Sequence, residues 1–477
     1  MPEEAKAAAT EKSEPTAVLK PEEPVETKHN FGGIPTRVVA SRLPLTNDKG
    51  EVDALVFSIA YFKDQESKPQ ERPIMFVFNG GPGSPTIWLH MGAVGPLRAP
   101  LLPDGNLSEP PHTLEENAHH WLDLADLVFV DPVGTGYSRA KDDATGEKYW
   151  GLQGDLDSMA EFIRLFLVRH SRTTSPLYLC GESYGTTRCA GLSEILVRKG
   201  TPPKGIILVS SVLNFQTLEF RKGNDLAYPL FLPTYTATAH YHGLLKGRKE
   251  VLLKQAKEFA LGDYWLALAQ GSSLKGKKRA EIRKKLSALT GLSETWLDGC
   301  DLRINIHDFC KELLRSRHEV LGRLDSRIKG LEDTQRNSDQ RGETDPSMDI
   351  LMPPYVSLFL DYVRRDLKWE TDLEYTIFSG IKKPWNWGSA REGYPDTSDA
   401  LRKALSRHPY TKVFIASGYF DLATPFFATE YTLSHMGLSS KLAGNIEVKE
   451  YEAGHMMYIN VECLAELKKD VTAWMDK

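Results

Sequence analysis

Three residues far apart in the chain, Ser183, Asp421 and His455, are the types from which a hydroxyl nucleophile, its base and a carboxylate orienting that base are built. A serine hydroxyl attacks poorly unless a base takes its proton, and the base works only in the right tautomer. Ser183 lies in Gly181-Glu182-Ser183-Tyr184-Gly185, after the apolar run 177–180 and before a helical pattern over 186–197. That order predicts a nucleophile elbow, a strained strand-to-helix turn that lifts the hydroxyl out of a sheet. Asp421 closes Gly418-Tyr419-Phe420-Asp421, and His455 closes Glu452-Ala453-Gly454-His455, each behind a strand-like run. Alone, each has a plainer reading: a turn serine, a helix-capping aspartate, a turn histidine. Their coincidence at three strand ends favours the chemistry.

Acyl chemistry also needs backbone N–H donors aimed at the developing negative charge. Asn79-Gly80-Gly81-Pro82-Gly83 follows the apolar run 74–78, and a glycine loop there can approach substrate closely. The N–H groups of Gly81 and of Tyr184, the residue after the nucleophile, are the expected oxyanion hole. The glycine loop lacks the Gly-Lys-Ser/Thr ending of a phosphate-binding loop, and no dinucleotide fingerprint or metal-ligand spacing occurs. The expected site therefore uses no cofactor and no metal.

The elements that must position these groups are legible as eight strand-like runs: 36–43, 54–61, 74–78, 127–130, 177–180, 206–209, 412–416 and 446–451. The first two flank the turn Asn47-Asp48-Lys49-Gly50 and predict an antiparallel hairpin. Continuous apolar runs such as 74–78 suit strands buried on both faces of a parallel sheet. Leu156, Met159, Phe162, Ile163 and Phe166 recur at helical spacing, as do Val461, Leu464, Leu467, Val471 and Trp474. The order Ser, Asp, His at successive strand ends is that of α/β-hydrolases. The expected fold is accordingly an α/β-hydrolase fold, a mostly parallel eight-stranded sheet with a helical cap insertion. Its expected parts are a disordered leader over 1–30, core over 31–213 and 376–477, and the cap over 214–375, with a mobile loop near 334–346.

The 477 residues, 41% hydrophobic and 26% charged, carry a formal net charge of -5. That balance leaves no footprint for nucleic acid, and no apolar run is long enough to span a bilayer, so neither nucleic acid nor membrane is an expected partner. Basic clusters such as 275–279 read as solvated helix faces. Of the five cysteines, Cys300 and Cys310 are close enough in sequence to pair in an oxidising compartment. The leader lacks the apolar core of a secretory signal.

Phe78-Asn79-Gly80-Gly81-Pro82-Gly83, Val130-Asp131-Pro132-Val133-Gly134-Thr135-Gly136-Tyr137-Ser138 and the elbow resemble the signature blocks of the serine carboxypeptidases. Gly418–Asp421 and Gly454-His455-Met456 are similar to that family's acid and histidine blocks. The resemblance implies an exported, secreted or periplasmic hydrolase that releases C-terminal residues of a peptide substrate through an acyl-enzyme. It implies Ser183, Asp421 and His455 as the triad, Gly81 and Tyr184 as the oxyanion hole, and Asn79 with Glu182 as the groups that bind the substrate's terminal carboxylate. An esterase or acyltransferase using the same triad on non-peptide acyl donors is the alternative. The sequence also departs from the pattern. The resemblance puts a tryptophan where Phe78 stands, a cysteine within the Ser84-Pro85-Thr86 stretch, and a second glutamate at Ala93, before Gly95-Pro96. Lacking that acidic partner, Glu182 is expected to ionise more readily and to repel a substrate carboxylate near neutral pH, unless the nearby His90 compensates.

Overall fold

The computed structural model describes residues 19–64, 68–102, 109–331, 345–378, 380–388 and 393–477. Its frame is one ten-stranded sheet. The strands β1 (Val25–Phe31), β2 (Ile34–Thr46) and β3 (Val52–Lys63) pair antiparallel at one side. Next to β3 come β4 (Ile74–Phe78) and β5 (Asp126–Val130), then β6 (Leu177–Ser183), β7 (Gly205–Ser211), β8 (Lys412–Gly418) and β9 (Ile446–Tyr451), in the order β1-β2-β3-β5-β4-β6-β7-β8-β9. From β5 to β9 every neighbouring pair is parallel, and the two-residue strand Arg139–Ala140 pairs with β3. All eight expected strands are present in an α/β-hydrolase arrangement.

The apolar runs β4, β5 and β7 are buried along their whole length because helices cover both faces of the sheet. Alternation along the strands sorts their side chains into two cores. Val77, Cys180, Val209 and Ala416 face one core, with residues of the helices Pro346–Arg365 and Val461–Met475. Phe76, Leu179, Leu208 and Ile415 face the other, with the helices Leu152–Arg169 and Tyr184–Arg198. Between β7 and β8 the chain is mostly helical, with one short antiparallel pair, Glu319–Leu321 with Lys329–Leu331. A third core joins these helices to Phe420, Leu422 and Phe426 around the loop after β8. Among the described residues no helix is long and apolar enough to cross a membrane.

One correction concerns the leader. Residues 25–30, read as disordered for want of large apolar side chains, belong to β1, which pairs with β2 from Val25↔Ala40 to Phe31↔Ile34. The strand borrows its order from the partner's backbone, through a turn at Gly32 and Gly33 whose φ values of 56° and 83° suit glycine. Residues 1–18 and most of the expected mobile loop, 332–344, lie outside the described residues. All five cysteines are free, Cys300 and Cys310 included.

Candidate active site

Strand β6 is flanked by β4 and β7, so its carboxyl end opens near the middle of the sheet. The chain turns there from strand to helix at Ser183, whose φ of 58° and ψ of -128° are strained for a residue with a Cβ. Space explains the flanking glycines. A Cβ on Gly181 would lie 2.2 Å from the Gly185 carbonyl oxygen, and one on Gly185 2.6 Å from that of Phe78.

The loops after β8 and β9 bring Asp421 and His455 to the same place. His455 Nδ1 lies 2.8 Å from Asp421 Oδ2, and both residues are buried. Asp421 is itself held by the N–H groups of Ala423 and Thr424, at 2.7 and 2.9 Å to Oδ1, and by the Thr424 hydroxyl at 2.7 Å to Oδ2. Burial pulls the His455 pKa down, but the charge and hydrogen bond of Asp421 outweigh it, and the net direction is upward. Bonded through Nδ1, the ring is free to use Nε2 toward the cleft. Ser183 and His455 line one cleft of about 320 Å³ together with Asn79, Gly80, Gly81, Glu182, Tyr184 and Thr424. No hydrogen bond joins Ser183 Oγ to His455, a looseness common before substrate binds.

The glycine loop lies directly over the elbow. Among the described residues Gly81, with φ of 104°, makes no turn or loop hydrogen bond through its N–H. Tyr184 opens the helix Tyr184–Arg198, so its N–H has no acceptor within that helix. Asp131, another strand-end carboxylate, does not line the cleft. It accepts the Thr86 N–H at 2.9 Å and braces the far end of the glycine loop.

Asn79 and Glu182 form one unit. Asn79 Nδ2 donates to Glu182 Oε1 at 2.9 Å, while Asn79 Oδ1 accepts the Leu89 N–H at 3.0 Å, which fixes the amide's orientation. Glu182 corrects the sequence expectation. Burial pushes its pKa up to about 7, against the smaller downward pulls of His455, Tyr458 and Asn79. Desolvation is the main influence and the Asp421 charge adds to it, so the absence of a glutamate at position 93 does not make Glu182 ionise readily. Ala93 is fully buried among apolar residues. The Tyr458 phenol interacts with Glu182, yet Glu182 Oε2 and Tyr458 Oη both lack a well-formed hydrogen bond.

Two other expectations change. His90 does not compensate for the missing glutamate: it is stacked on Phe129 and bonded to Tyr61 Oη at 2.7 Å, away from the cleft, and burial lowers its pKa to about 3. Phe78 faces the core opposite Cys180, its ring 5.6 Å from the Arg188 guanidinium carbon, so a side chain at 78 does not reach the carboxylate-binding unit. Ser84, in the stretch where the resemblance puts a cysteine, accepts the Trp88 indole N–H at 2.8 Å on the cleft wall. Sequence reasoning missed Thr424, Arg323, Met348 and Phe378. Only Thr424 had a local signal, an Asp-x-x-Thr spacing suited to a side-chain-capped turn.

A family model described as serine carboxypeptidase matches residues 56–464. Serine carboxypeptidase-like 20 of Arabidopsis thaliana is 30% identical over 193 residues, covering 39% of this chain and 35% of that protein. The pheromone-processing carboxypeptidase KEX1 of Puccinia graminis f. sp. tritici is 30% identical over 171 residues, 35% of this chain and 24% of that protein. The matches thus span about a third or less of these curated relatives' own length. The crystal structure of the prohormone-processing carboxypeptidase Kex1 of Saccharomyces cerevisiae shares the fold, with a TM-score of 0.57 at 14% identity over 93% of this chain and 92% of that one. The family match extends from β3 to the helix after His455, spanning the glycine loop and elbow, and the chain belongs to the serine carboxypeptidase family.

Proposed function

We propose that the protein is a serine-type carboxypeptidase that releases C-terminal residues from peptides. The observation that carries this reading is the juxtaposition, in one cleft, of the Asp421–His455 pair at 2.8 Å, Ser183 on its strained turn, and the buried Asn79–Glu182 unit. In this reading Ser183 Oγ bonds to the scissile carbonyl carbon as its proton passes to His455 Nε2, and Asp421 stabilises the imidazolium. The N–H groups of Gly81 and Tyr184 receive the oxyanion. His455 then gives its proton to the departing amine as the C–N bond breaks. A water, deprotonated by the same base, cleaves the acyl-serine ester and frees the shortened peptide. Asn79 and protonated Glu182 supply donors for the terminal carboxylate of the substrate. A shared proton between two carboxyl groups is favourable only while one of them is neutral.

The test compares an N-blocked dipeptide as free acid with its amide. The free acid should be cleaved with at least about tenfold higher kcat/KM, the worth of a charge-assisted hydrogen bond. Equal rates for the two, with faster turnover of simple esters or transfer to added alcohols, would replace this reading by the esterase or acyltransferase alternative.

A further inference from the structure

The cleft contains one feature that the triad, the oxyanion hole and the Asn79–Glu182 unit do not use. Arg323, on the segment that precedes the short pair partner Lys329–Leu331, is the only lysine or arginine among the described residues lining it. Its backbone is fixed at the catalytic loops. The Arg323 carbonyl accepts the Leu422 N–H at 3.1 Å, and the next carbonyl, that of Leu324, accepts the His455 N–H at 2.6 Å. Its charge reaches the site, because the guanidinium opposes the upward shift of His455.

Among the described residues the guanidinium is poorly engaged. Its one ion pair among the described residues is Nε to Asp345 Oδ2 at 3.9 Å, too long for a hydrogen bond, and the side chain is 41% exposed. Asp345 Oδ1 accepts the N–H groups of Arg323 and Ser347, both at 3.0 Å, and the Ser347 hydroxyl, while Oδ2 faces Arg323 without a hydrogen bond among the described residues. The terminal Nη groups of Arg323 make no hydrogen bond among the described residues. A planar fork of donors in that state matches a carboxylate, which it binds through two parallel N–H···O bonds. The other ionisable groups among the described residues lining the cleft are Glu182, Tyr184 and His455, the last paired with Asp421 behind it, so Arg323 is the one permanent cation among them.

We propose that Arg323 receives the terminal carboxylate of the substrate as an ion pair, so that the cleft selects free-acid peptides by charge as well as by the neutral donors of Asn79 and Glu182. This rests on the carboxypeptidase reading and deepens it. Recognition by a guanidinium does not depend on keeping a buried glutamate protonated. The selected class is then peptides with a free α-carboxylate and any of several side chains, under neutral as well as acidic conditions. Arg323 acts in binding, and its effect belongs in KM.

The experiment measures kcat and KM of wild type, Arg323→Gln and Arg323→Lys on three N-blocked dipeptides: a free acid with neutral side chains, its amide, and an amide with an acidic terminal side chain. The amide with neutral side chains is the internal reference for folding and triad chemistry. In Arg323→Gln the acid-to-amide ratio of kcat/KM should fall by about 10- to 100-fold, through KM, with partial recovery in Arg323→Lys. The loss should be largest near pH 8, where Glu182 no longer offers its proton. A wild-type preference for the free acid that Arg323→Gln retains within about threefold overturns this assignment and leaves the carboxypeptidase reading standing. A loss confined to the acidic-side-chain amide also overturns it, assigning Arg323 to the side chain instead. A wild type with no preference for the acid overturns both.

Discussion

The carbonyl oxygen of Leu324 accepts the backbone N–H of His455 at 2.6 Å, which ties the base of the site to a segment between β7 and β8. The tie is one of several. Asp325 Oδ2 accepts the Gly454 N–H at 3.1 Å, and the Ser326 N–H and hydroxyl both donate to the Phe420 carbonyl at 3.0 Å. Four consecutive residues, Arg323 to Ser326, thus hold the loops of Asp421 and His455 together. Precise orientation of a base is worth large factors in rate, so this brace bears on catalysis without touching substrate.

Asp325 is the buried charge in that brace, gripped by Arg327 through Nε at 2.9 Å and Nη2 at 2.6 Å. Asp325→Asn keeps the shape but gives up one acceptor, so either Gly454 or Arg327 loses its partner. The expected result is a fall in kcat of about tenfold with KM within about twofold, since the residue positions His455 and binds nothing. Labelling of Ser183 by a phosphonate should slow in parallel. If Asp325 served the fold alone, melting would shift while kcat per folded molecule stayed at the wild-type value.

Asp421→Asn tests the base more directly. The carboxylate holds His455 with the proton on Nδ1, and an amide presenting its NH2 group to Nδ1 would move that proton to Nε2. Such a tautomer cannot accept the Ser183 proton. A loss of about 10³- to 10⁴-fold in kcat is expected, with substrate binding preserved. Ser183→Ala, by comparison, should abolish phosphonate labelling altogether. A labelled Ser183→Ala protein would remove the nucleophile assignment.

Much of this arrangement is legible in the amino-acid sequence. Ser183, Asp421 and His455 lie at the strand ends where their motifs placed them, because chain order and strand periodicity are local properties. What stayed hidden depends on contacts between distant segments. Residues 25–31 carry too little apolar surface to read as a strand and become one through pairing with β2. Arg323 has no motif, since its place at the cleft follows from the loop between the short strands Glu319–Leu321 and Lys329–Leu331 folding back onto the β8 and β9 loops. The ionisation of Glu182 does not follow from its acidic neighbours in the sequence, because the larger influence is burial. The motif position of Phe78 does not show which sheet face its side chain takes, and the structure puts it in the core opposite Cys180.

Glu182 yields a prediction in pH. Its ordinary value of 4.5 applies to the unfolded chain, and burial holds the folded one at about 7. Between those values the folded state binds more protons than the unfolded state, so stability falls as pH rises through the window. The full cost, on the order of 3 kcal/mol, is present above about pH 7 and absent below about pH 4.5. Glu182→Gln removes the ionisable group. It should match wild type in thermal stability near pH 4.5 and exceed it near pH 8. For free-acid peptides, wild-type KM should rise above about pH 7 as Glu182 loses its proton, and the Gln variant should lack that rise. Parallel melting and KM profiles for the two proteins would show that Glu182 is not the titrating group.

Gly80 controls how closely the glycine loop can approach the elbow. A Cβ there would lie 2.5 Å from the Tyr184 nitrogen and 2.9 Å from both the Glu182 carbonyl oxygen and Ser183 Cβ. Two of these three atoms are backbone, so no side-chain rotation relieves the clash and the loop must lift away. Lifting it parts the Gly81 N–H from the Tyr184 N–H, the two donors that have to converge on one oxygen. Gly80→Ala should therefore lower kcat by about 10²- to 10³-fold, the usual worth of one such donor. It should also lower stability by about 1–3 kcal/mol through overpacking. Gly299→Ala is the control, because a Cβ there meets nothing within 4 Å. Its stability should stay within about 0.5 kcal/mol of wild type. A Gly80→Ala enzyme that kept wild-type kcat would show that the two N–H groups do not act together on the reacting carbonyl. The oxyanion hole would then have to be sought among other donors of the cleft.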